Sequence, residues 1–246
     1  MKLSIVIPAL NEEAGIGAVL DQIPVELLKR AGYDVEKVVV DNASTDRTGD
    51  IAREHGAVVV YQPKRGYGNA YKAGFDAATG DIIATGDADM TYPFDTLPEI
   101  LAKLQNENLD FITTNRLGRR NRESLKGSHR FGNWLLSKVM RVLFGFPIQD
   151  SQSGMWIFRR HIWQRLDVRH GGMPFSQEIK IEAYGKGLAC AEVPIEYRKR
   201  VGEVKLSVHD AWRTMKELFL KRLSLRRERP ERLARPSIAV AADEVE

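Results

Sequence analysis

The chain has 246 residues, of which 43% are hydrophobic and 28% charged, with a formal net charge of +4 and a single cysteine, Cys190. This length suits one large domain or one domain with a small appendage, and the composition excludes disordered and fibrous classes. One cysteine excludes an internal disulfide framework and a cysteine-rich metal site, so a reducing, cytoplasmic setting is expected.

The sequence shows no export signal and no membrane-spanning segment. Met1 and Lys2 lead directly into a strand-like run without a small-residue cleavage site. The most apolar stretch, 134–148, is interrupted by Lys138 and Arg141. It falls short of the roughly 18 consecutive apolar residues that span a bilayer. We therefore expect a protein that does not cross a membrane.

The first 115 residues alternate short β-branched runs with helical patterns. Strands are predicted at 3–7, 35–40, 57–61, 81–85 and 109–113, and helices at 12–23, 44–55, 68–78 and 94–105. Strands that alternate with helices predict right-handed βαβ units. The expected fold is therefore α/β, with a Rossmann-like, mainly parallel sheet flanked by helices. Ligands of such sheets bind beyond the carboxyl ends of the strands.

The second half of the sequence is less regular. Helices are predicted at 131–146, 173–186 and 208–227, a strand at 188–197, and a polar, basic loop at 118–129. The C-terminal helix is amphipathic, with basic residues between its apolar ones. The remaining residues, 226–246, are charged and contain proline, and we expect them to be disordered.

The net charge is unevenly distributed along the chain. Residues 116–130 carry six basic residues against Glu123, a net +5, and residues 211–235 carry nine against three glutamates, a net +6. The rest of the chain is therefore at −7. An acidic body with two basic segments predicts anionic partners such as phosphates or a membrane surface. Nucleic acid is not expected, because the basic segments lack interleaved stacking aromatics.

Three polar clusters, at 8–12, 41–44 and 87–89, follow predicted strands. The last places Asp87 and Asp89 around Ala88, where a carboxylate can bind Mg²⁺ or Mn²⁺. Most isolated Asp-x-Asp sequences are only solvated acids. The strand-end position, with two other polar strand ends nearby, favours a metal site here.

Two further groups offer contacts to a nucleotide. Asn11-Glu12 and Asp41-Asn42 provide hydrogen bonds to a base or ribose, although Asn11 would also serve as a helix cap. Residues 64–69 place two glycines, Gly66 and Gly68, ahead of a helix, which permits close approach of a phosphate to a helix N-terminus. Their spacing excludes a Walker A loop and a dinucleotide fingerprint.

Motifs at 4–12, 38–48, 66–70 and 87–89 together resemble the family 2 glycosyltransferases of GT-A fold. Motifs at 150–155, 158–159, 192–195 and 200–207 narrow the resemblance to the dolichyl- or polyprenyl-phosphate sugar synthases. The match covers about residues 3–210. It implies an inverting, metal-dependent transfer of a hexose from a UDP- or GDP-linked sugar to a polyprenyl or dolichyl phosphate. The protein would then sit peripherally on the cytoplasmic membrane face.

The resemblance also implies a single GT-A domain at 1–225, in which residues 1–115 bind the nucleotide sugar and residues 116–225 bind the acceptor. Asp89 is implied as the main metal ligand, with Thr91 as a weaker one. The implied nucleotide pocket consists of Pro8, Leu10, Glu12, Val40, Asn42, Asp87 and Ala88. The cations implied to face the diphosphate or the acceptor phosphate are Arg116, Arg130, Arg200 and Lys205.

Three departures from the family pattern limit what can be carried over. Asn42 stands where the family often has Asp, Thr91 where the mannose enzymes often have Gln, and Val204 replaces the usual serine before Lys205. The first two weaken any transfer of sugar or base identity.

The chemistry of the acceptor remains open at this stage. A phosphate monoester is largely ionised at neutral pH, with a second pKa of about 6, and needs positioning more than a base. A soluble hydroxyl acceptor would need a general base, and Asp150 or Glu178 would be the candidates. The third alternative is a catalytically silent nucleotide-sugar-binding module that docks on membranes.

Overall fold

The computed structural model describes residues 1–118, 121, 127–200 and 208–228. Most of the predicted loop at 118–129, Lys205 and nearly all of the predicted tail at 226–246 lie outside the described residues.

Seven strands form one sheet in the order β3-β2-β1-β4-β6-β5-β7. The neighbours β1–β2, β2–β3, β1–β4 and β5–β7 pair in parallel, whereas β6 runs antiparallel to both β4 and β5. The expected mainly parallel α/β sheet is therefore confirmed. The strands are β1 Lys2–Ala9, β2 Asp34–Asp41, β3 Val58–Tyr61, β4 Ile82–Thr85, β5 Phe111–Asn115, β6 Trp156–Arg159 and β7 Cys190–Pro194.

The helices follow the predicted order with two additions, the short α2 and α7. They are α1 Ile16–Asp21, α2 Val25–Arg30, α3 Thr48–Glu54, α4 Tyr67–Ala77, α5 Leu97–Asn106, α6 Gly127–Phe144, α7 Arg160–Trp163, α8 Phe175–Gly185 and α9 Val208–Glu228. A 3-10 turn, Phe94–Thr96, precedes α5. The first helix begins later than predicted, because residues 12–15 close a turn onto the carbonyl of Glu12.

Helices cover both faces of the sheet, and alternate residues of β1 show the two layers. Leu3, Ile5 and Ile7 are buried in one core cluster with α1 and α5, while Val6 is buried in a second cluster that holds Tyr71 of α4. Because successive strand side chains point to opposite faces, a strand buried on both faces reads as a continuous apolar run. A third cluster joins α6 to α9.

The topology brings several loops to one edge of the sheet. The segments after β1, β2, β4, β5 and β7 leave from the carboxyl ends of parallel strands, and the segment before the antiparallel β6 enters at the same edge. That edge is where open α/β sheets bind ligands. Within the described residues, no helix is both long enough and apolar enough to span a bilayer.

Candidate active site

A cleft of about 270 Å³ lies at this edge of the sheet. It brings together nine residues singled out by sequence, from both halves of the chain. They are Pro8, Leu10, Glu12, Asn42, Asp87, Ala88, Asp89, Arg116 and Arg200. The strand-end clusters at 8–12, 41–44 and 87–89 therefore all contribute to one cavity.

Other predicted residues lie outside the cleft lining. Val40 is fully buried in the core, and Asp41 accepts a hydrogen bond from the Ser44 amide at 2.9 Å. Gly68 is buried against the carbonyl of His170, so it is not the glycine that borders the cavity. Arg130 donates to the carbonyl of Leu117 at 2.8 Å and braces the chain after β5.

The carboxylate of Asp89 is held in place by its neighbours. Its Oδ1 accepts hydrogen bonds from the amide of Thr91 at 3.1 Å and from the Thr91 hydroxyl at 2.5 Å. Its buried Oδ2 forms an ion pair with the guanidinium of Arg200. The structure thus places Thr91 behind Asp89, where it orients the carboxylate and does not border the cleft.

Asp87 completes a carboxylate pair at the end of β4. Burial, together with the negative charge of Asp89, raises the pKa of Asp87 to about 7, although Arg200 and Arg116 oppose the shift. The Tyr71 hydroxyl lies 3.4 Å from its Oδ1. Two carboxylates that repel each other in a confined cleft are stabilised by a cation between them.

These donors fit Mg²⁺ or Mn²⁺, which bind carboxylate oxygens and take further ligands from phosphates and water. Among the described residues, no three His, Cys, Asp or Glu side chains converge on one point. A cation at Asp89 would therefore complete its shell with ligands from outside the protein. The buried Oδ2 of Asp89 is the oxygen available to it once Arg200 moves aside.

Arg116 and Asp150 form a buried bidentate ion pair. The Nε and Nη2 of Arg116 donate to the two carboxylate oxygens at 2.8 and 3.1 Å, and its amide donates at 3.0 Å. The guanidinium lies 5.2 Å from the ring centroid of Tyr197. Burial acts to raise the pKa of Asp150, but Arg116 holds it below its ordinary value. Asp150 is fully buried and lies behind Arg116, which is the residue that faces the cleft.

The loop that carries Asp150 is clamped from two sides. Lys180 of α8 donates to the carbonyls of Asp150 and Ser153, both at 2.9 Å, and is fully buried. Glu192 of β7 accepts from the amides of Gln149 and Asp150. Burial lowers the pKa of Lys180 to about 7 and raises that of Glu192 to about 7. Side chains of opposite sign thus hold the loop that orients Arg116.

Asn42 organises the segment that precedes α4. Its Nδ2 donates to the carbonyls of Gln62 and Lys64, both at 2.9 Å, and its Oδ1 accepts from the amide of Gly66 at 2.7 Å. An aspartate at this position would have no N–H groups to donate to the two carbonyls. Gly66 has a φ of 139°, and a Cβ there would collide with the carbonyl of Gly171, so this position requires glycine.

Comparison with known proteins places this architecture in a family. Residues 4–166 match the sequence profile of Glycosyl transferase family 2. This chain belongs to that family. Low-salt glycan biosynthesis hexosyltransferase Agl6 of Haloferax volcanii is 40% identical over 224 residues, which are 89% of this chain and 53% of the relative. Dolichyl-phosphate hexose transferase of the same organism is 35% identical over 205 residues, 83% of this chain and 86% of the relative.

The family 2 chain thus spans about half the length of the Agl6 relative, at 53%, and most of the dolichyl-phosphate one. Glucosyl-3-phosphoglycerate synthase from Mycobacterium tuberculosis, solved with Mn²⁺, UDP and glucosyl-3-phosphoglycerate, superposes with a TM-score of 0.68 at 24% identity. The match covers 97% of this chain and 82% of that one. The expected GT-A fold and the resemblance to polyprenyl-phosphate sugar transferases are confirmed.

Seven residues of the family 2 cleft lie outside the set predicted as site residues. They are Ala9, Gly66, Tyr67, Ala70, Gln152, Met173 and Tyr197. Five of these lie inside motifs that the sequence singled out, and their place could have been inferred from them. Met173 and Tyr197 follow irregular segments with no local chemical signal, so only the tertiary structure brings them to the cleft.

Proposed function

We propose that this chain transfers a hexose from a nucleoside-diphosphate sugar, UDP- or GDP-linked, to a polyprenyl phosphate at the cytoplasmic face of a membrane. One observation carries the proposal: a single cleft joins a carboxylate pair, Asp87 and Asp89, to two arginines from the other half of the chain, Arg116 and Arg200. Carboxylates suit a cation that accompanies a diphosphate, and arginines suit phosphate oxygens.

The donor would occupy the side of the cleft formed after β1 and β2. This side of the cleft is lined by Pro8, Leu10 and Glu12 at the end of β1 and by Asn42 after β2. A bound Mg²⁺ or Mn²⁺ would neutralise the charge that develops on the departing diphosphate. Arg200, which pairs with Asp89 in this structure, would then turn to the phosphate oxygens. The relative named as a dolichyl-phosphate hexose transferase supports a hexose as the transferred group and a polyprenyl phosphate as the acceptor.

The structure favours a phosphate acceptor over a hydroxyl one. An ionised phosphate oxygen attacks the anomeric carbon, a new C–O bond forms, and the nucleoside diphosphate leaves with the bonding electrons. No proton has to be removed from the acceptor. The two candidate bases are otherwise engaged: Asp150 is fully buried in its pair with Arg116, and Glu178 is 3% exposed and bonded to backbone amides.

Two helices supply a surface suited to peripheral docking on a membrane. On α6, Phe131 and Val142 are 63% and 79% exposed, and on α9, Trp212 is 73% exposed. Lys138 lies on the outward side of α6, above the Trp134 ring at 5.1 Å. The other exposed apolar residues of these helices are Leu135, Phe219, Leu220 and Leu223. Apolar side chains flanked by cations match the interface of an anionic bilayer.

The test is a transfer assay with radiolabelled UDP-glucose, UDP-N-acetylglucosamine and GDP-mannose, Mn²⁺ or Mg²⁺, and vesicles that contain polyprenyl phosphate. We expect label in the organic phase, dependence on the cation, and loss of transfer in Asp89→Asn. The matched control is Asp95→Asn, which changes an exposed aspartate paired with Arg198 outside the cleft.

Label that appears only in a water-soluble glycoside would refute the lipid acceptor and favour a soluble one. The absence of any transfer or donor hydrolysis, with nucleotide binding intact, would indicate a silent binding module. Sedimentation with vesicles that contain anionic lipid tests docking separately, and Trp212→Ser combined with Phe131→Ser should reduce the bound fraction.

A further inference from the structure

An irregular segment, residues 167–173, borders the donor cleft at its C-terminal end. It contains no helix or strand, so no backbone ladder holds it. Met173 lines the cleft, and the carbonyl of Gly171 accepts a hydrogen bond from the Asn69 amide at 3.0 Å. Gly66, which also lines the cleft, packs directly on Gly171. The position of this segment therefore sets the width of the cleft at the start of α4.

Side chains of α8 hold the segment from behind. Glu178 Oε2 accepts hydrogen bonds from the amides of Arg169 at 3.0 Å and His170 at 2.9 Å. Glu182 Oε2 accepts from the amide of Asp167 at 3.2 Å. Both side chains are buried. Glu182 also pairs with Lys186 at 3.0 Å, whereas the buried Glu178 carboxylate needs a cation from another element, because an unpaired buried charge is strongly unfavourable.

Lys221 of α9 is that cation. Its Nζ lies 3.2 Å from Glu178 Oε1, 2.8 Å from Glu182 Oε1 and 3.2 Å from the carbonyl of Asp167, and its side chain is 12% exposed. A second contact from the same helix joins Glu217 to His170 at 3.3 Å. One lysine on the C-terminal helix thus contacts the segment directly and also both carboxylates that anchor it.

We propose that Lys221 is a positioning residue of the donor cleft: through Glu178 and Glu182 it fixes residues 167–173 against Gly66, so that α9 determines nucleotide affinity. The proposal rests on the donor site assigned under Proposed function. Lys221 lies outside the cleft lining, and its effect on the donor passes through the segment. The same helix that turns Trp212 and Phe219 outward therefore supports the cleft with its inward face.

The experiment compares Lys221→Met with Lys221→Arg and with Lys216→Met, a matched control because Lys216 is an exposed lysine on the same helix. Binding of UDP and of GDP, each with Mn²⁺, is measured by calorimetry well below the melting temperature of every variant. For the nucleotide that binds wild type, we expect the Kd to rise about tenfold in Lys221→Met, equivalent to about 1.4 kcal/mol. Lys216→Met should stay within about twofold, and Lys221→Arg should restore most of the affinity.

Hydrogen exchange without nucleotide supplies an independent readout. Amides of 167–173 should exchange faster in Lys221→Met, whereas those of β1 should not change. An unchanged Kd in Lys221→Met would overturn the proposal, as would unchanged exchange of this segment or an equal loss of affinity in Lys216→Met.

If wild type binds neither nucleotide, the donor site fails, and the exchange of 167–173 still decides the positioning role. If Lys221→Met does not fold, Lys221→Gln retains one hydrogen-bond donor to the carboxylates and should give an intermediate Kd. Wild-type affinity in Lys221→Gln would then overturn the proposal.

Discussion

Replacing Asp150 with asparagine separates two roles for this residue. The sequence offered Asp150 as a general base for a hydroxyl acceptor, whereas the structure pairs it with Arg116 through two side-chain hydrogen bonds of 2.8 and 3.1 Å. Asp150→Asn keeps the shape of the side chain and removes the charge. If the residue orients Arg116, the variant should lose stability and lose phosphate binding together.

The size of the effect follows from burial. Arg116 is 7% exposed and Asp150 is fully buried, so the variant leaves a guanidinium in the interior without its counter-charge. Removing one partner of a buried ion pair costs about 3–5 kcal/mol, and the amide oxygen of asparagine recovers part of this. We therefore expect a loss of about 3 kcal/mol, which lowers the melting temperature by roughly 6–12 °C in a chain of this size.

The lowered pKa of Asp150 also determines how the free energy of unfolding changes with pH. Arg116 depresses the pKa of Asp150 below its ordinary value of 3.8, so the stabilisation is complete above that value and is lost as pH falls through the folded pKa. Urea denaturation at neutral pH and at about pH 3 measures this difference. As a control, Asp50→Asn removes the exposed Asp50–Arg53 pair and should cost at most about 1 kcal/mol. Full stability of Asp150→Asn with abolished turnover would refute the orienting role.

Three further predictions concern the cleft and its support. Asn42→Asp should lower the free energy of unfolding by about 2 kcal/mol in urea, because the backbone carbonyls of Gln62 and Lys64 lose their donor and face a carboxylate instead. Arg200→Ala should raise the Mn²⁺ affinity of the nucleotide-free protein several-fold, measured by electron paramagnetic resonance, because the guanidinium no longer competes for Asp89 Oδ2. Burial acts to raise the pKa of Glu182, but Lys221 lowers it on balance. The ion pair of Glu182 with Lys221 therefore stabilises the fold above the ordinary Glu182 pKa of 4.5, and this stabilisation is lost as the pH falls. The difference in free energy of unfolding between wild type and Lys221→Met should therefore become smaller below that pH.

The first two of these predictions have a matched control. Asn106→Asp changes an exposed asparagine and should leave stability within about 0.5 kcal/mol. Arg198→Ala removes an arginine two positions from Arg200 that pairs with exposed Asp95, and it should leave Mn²⁺ affinity unchanged. Wild-type stability in Asn42→Asp, unchanged Mn²⁺ binding in Arg200→Ala, or a stability gap that is constant with pH would contradict the respective prediction.

Periodicity was sufficient to predict the parallel part of the sheet, because β1, β2 and β4 are apolar runs followed by polar strand ends. It did not reveal β6, since Trp156–Arg159 is four residues long and its first three are fully buried, so it shows no alternation. The helix predicted at 131–146 is confirmed as α6, Gly127–Phe144. In the structure Met140 faces the interior, while Phe131 and Val142 face outward.

The candidate site shows the same division between local and tertiary information. Asp87 and Asp89 were predictable because two carboxylates that can bind a metal stand within three residues of each other, directly after a predicted strand. The pairing of Arg116 with Asp150 was not predictable, because the two are 34 residues apart and meet only in the folded chain. Asn42 was identified as a departure from the family pattern, but its reason lies in two carbonyls that only the folded loop presents to it.

Three charged side chains around Arg116 hold its guanidinium in a fixed position beside the cleft. Arg116, Lys180, Asp150 and Glu192 sum to zero formal charge, and each contacts the loop at 149–153 or its neighbours. A balanced cluster avoids leaving a net charge in the interior. Lys180 and Glu192 hold the backbone of Asp150 in place. The Arg116 side chain that is paired with Asp150 is therefore held in place as well. Under the proposed function, Arg116 would offer the acceptor phosphate a fixed cation, whereas the donor diphosphate would need a metal cation in the place of Arg200 at Asp89.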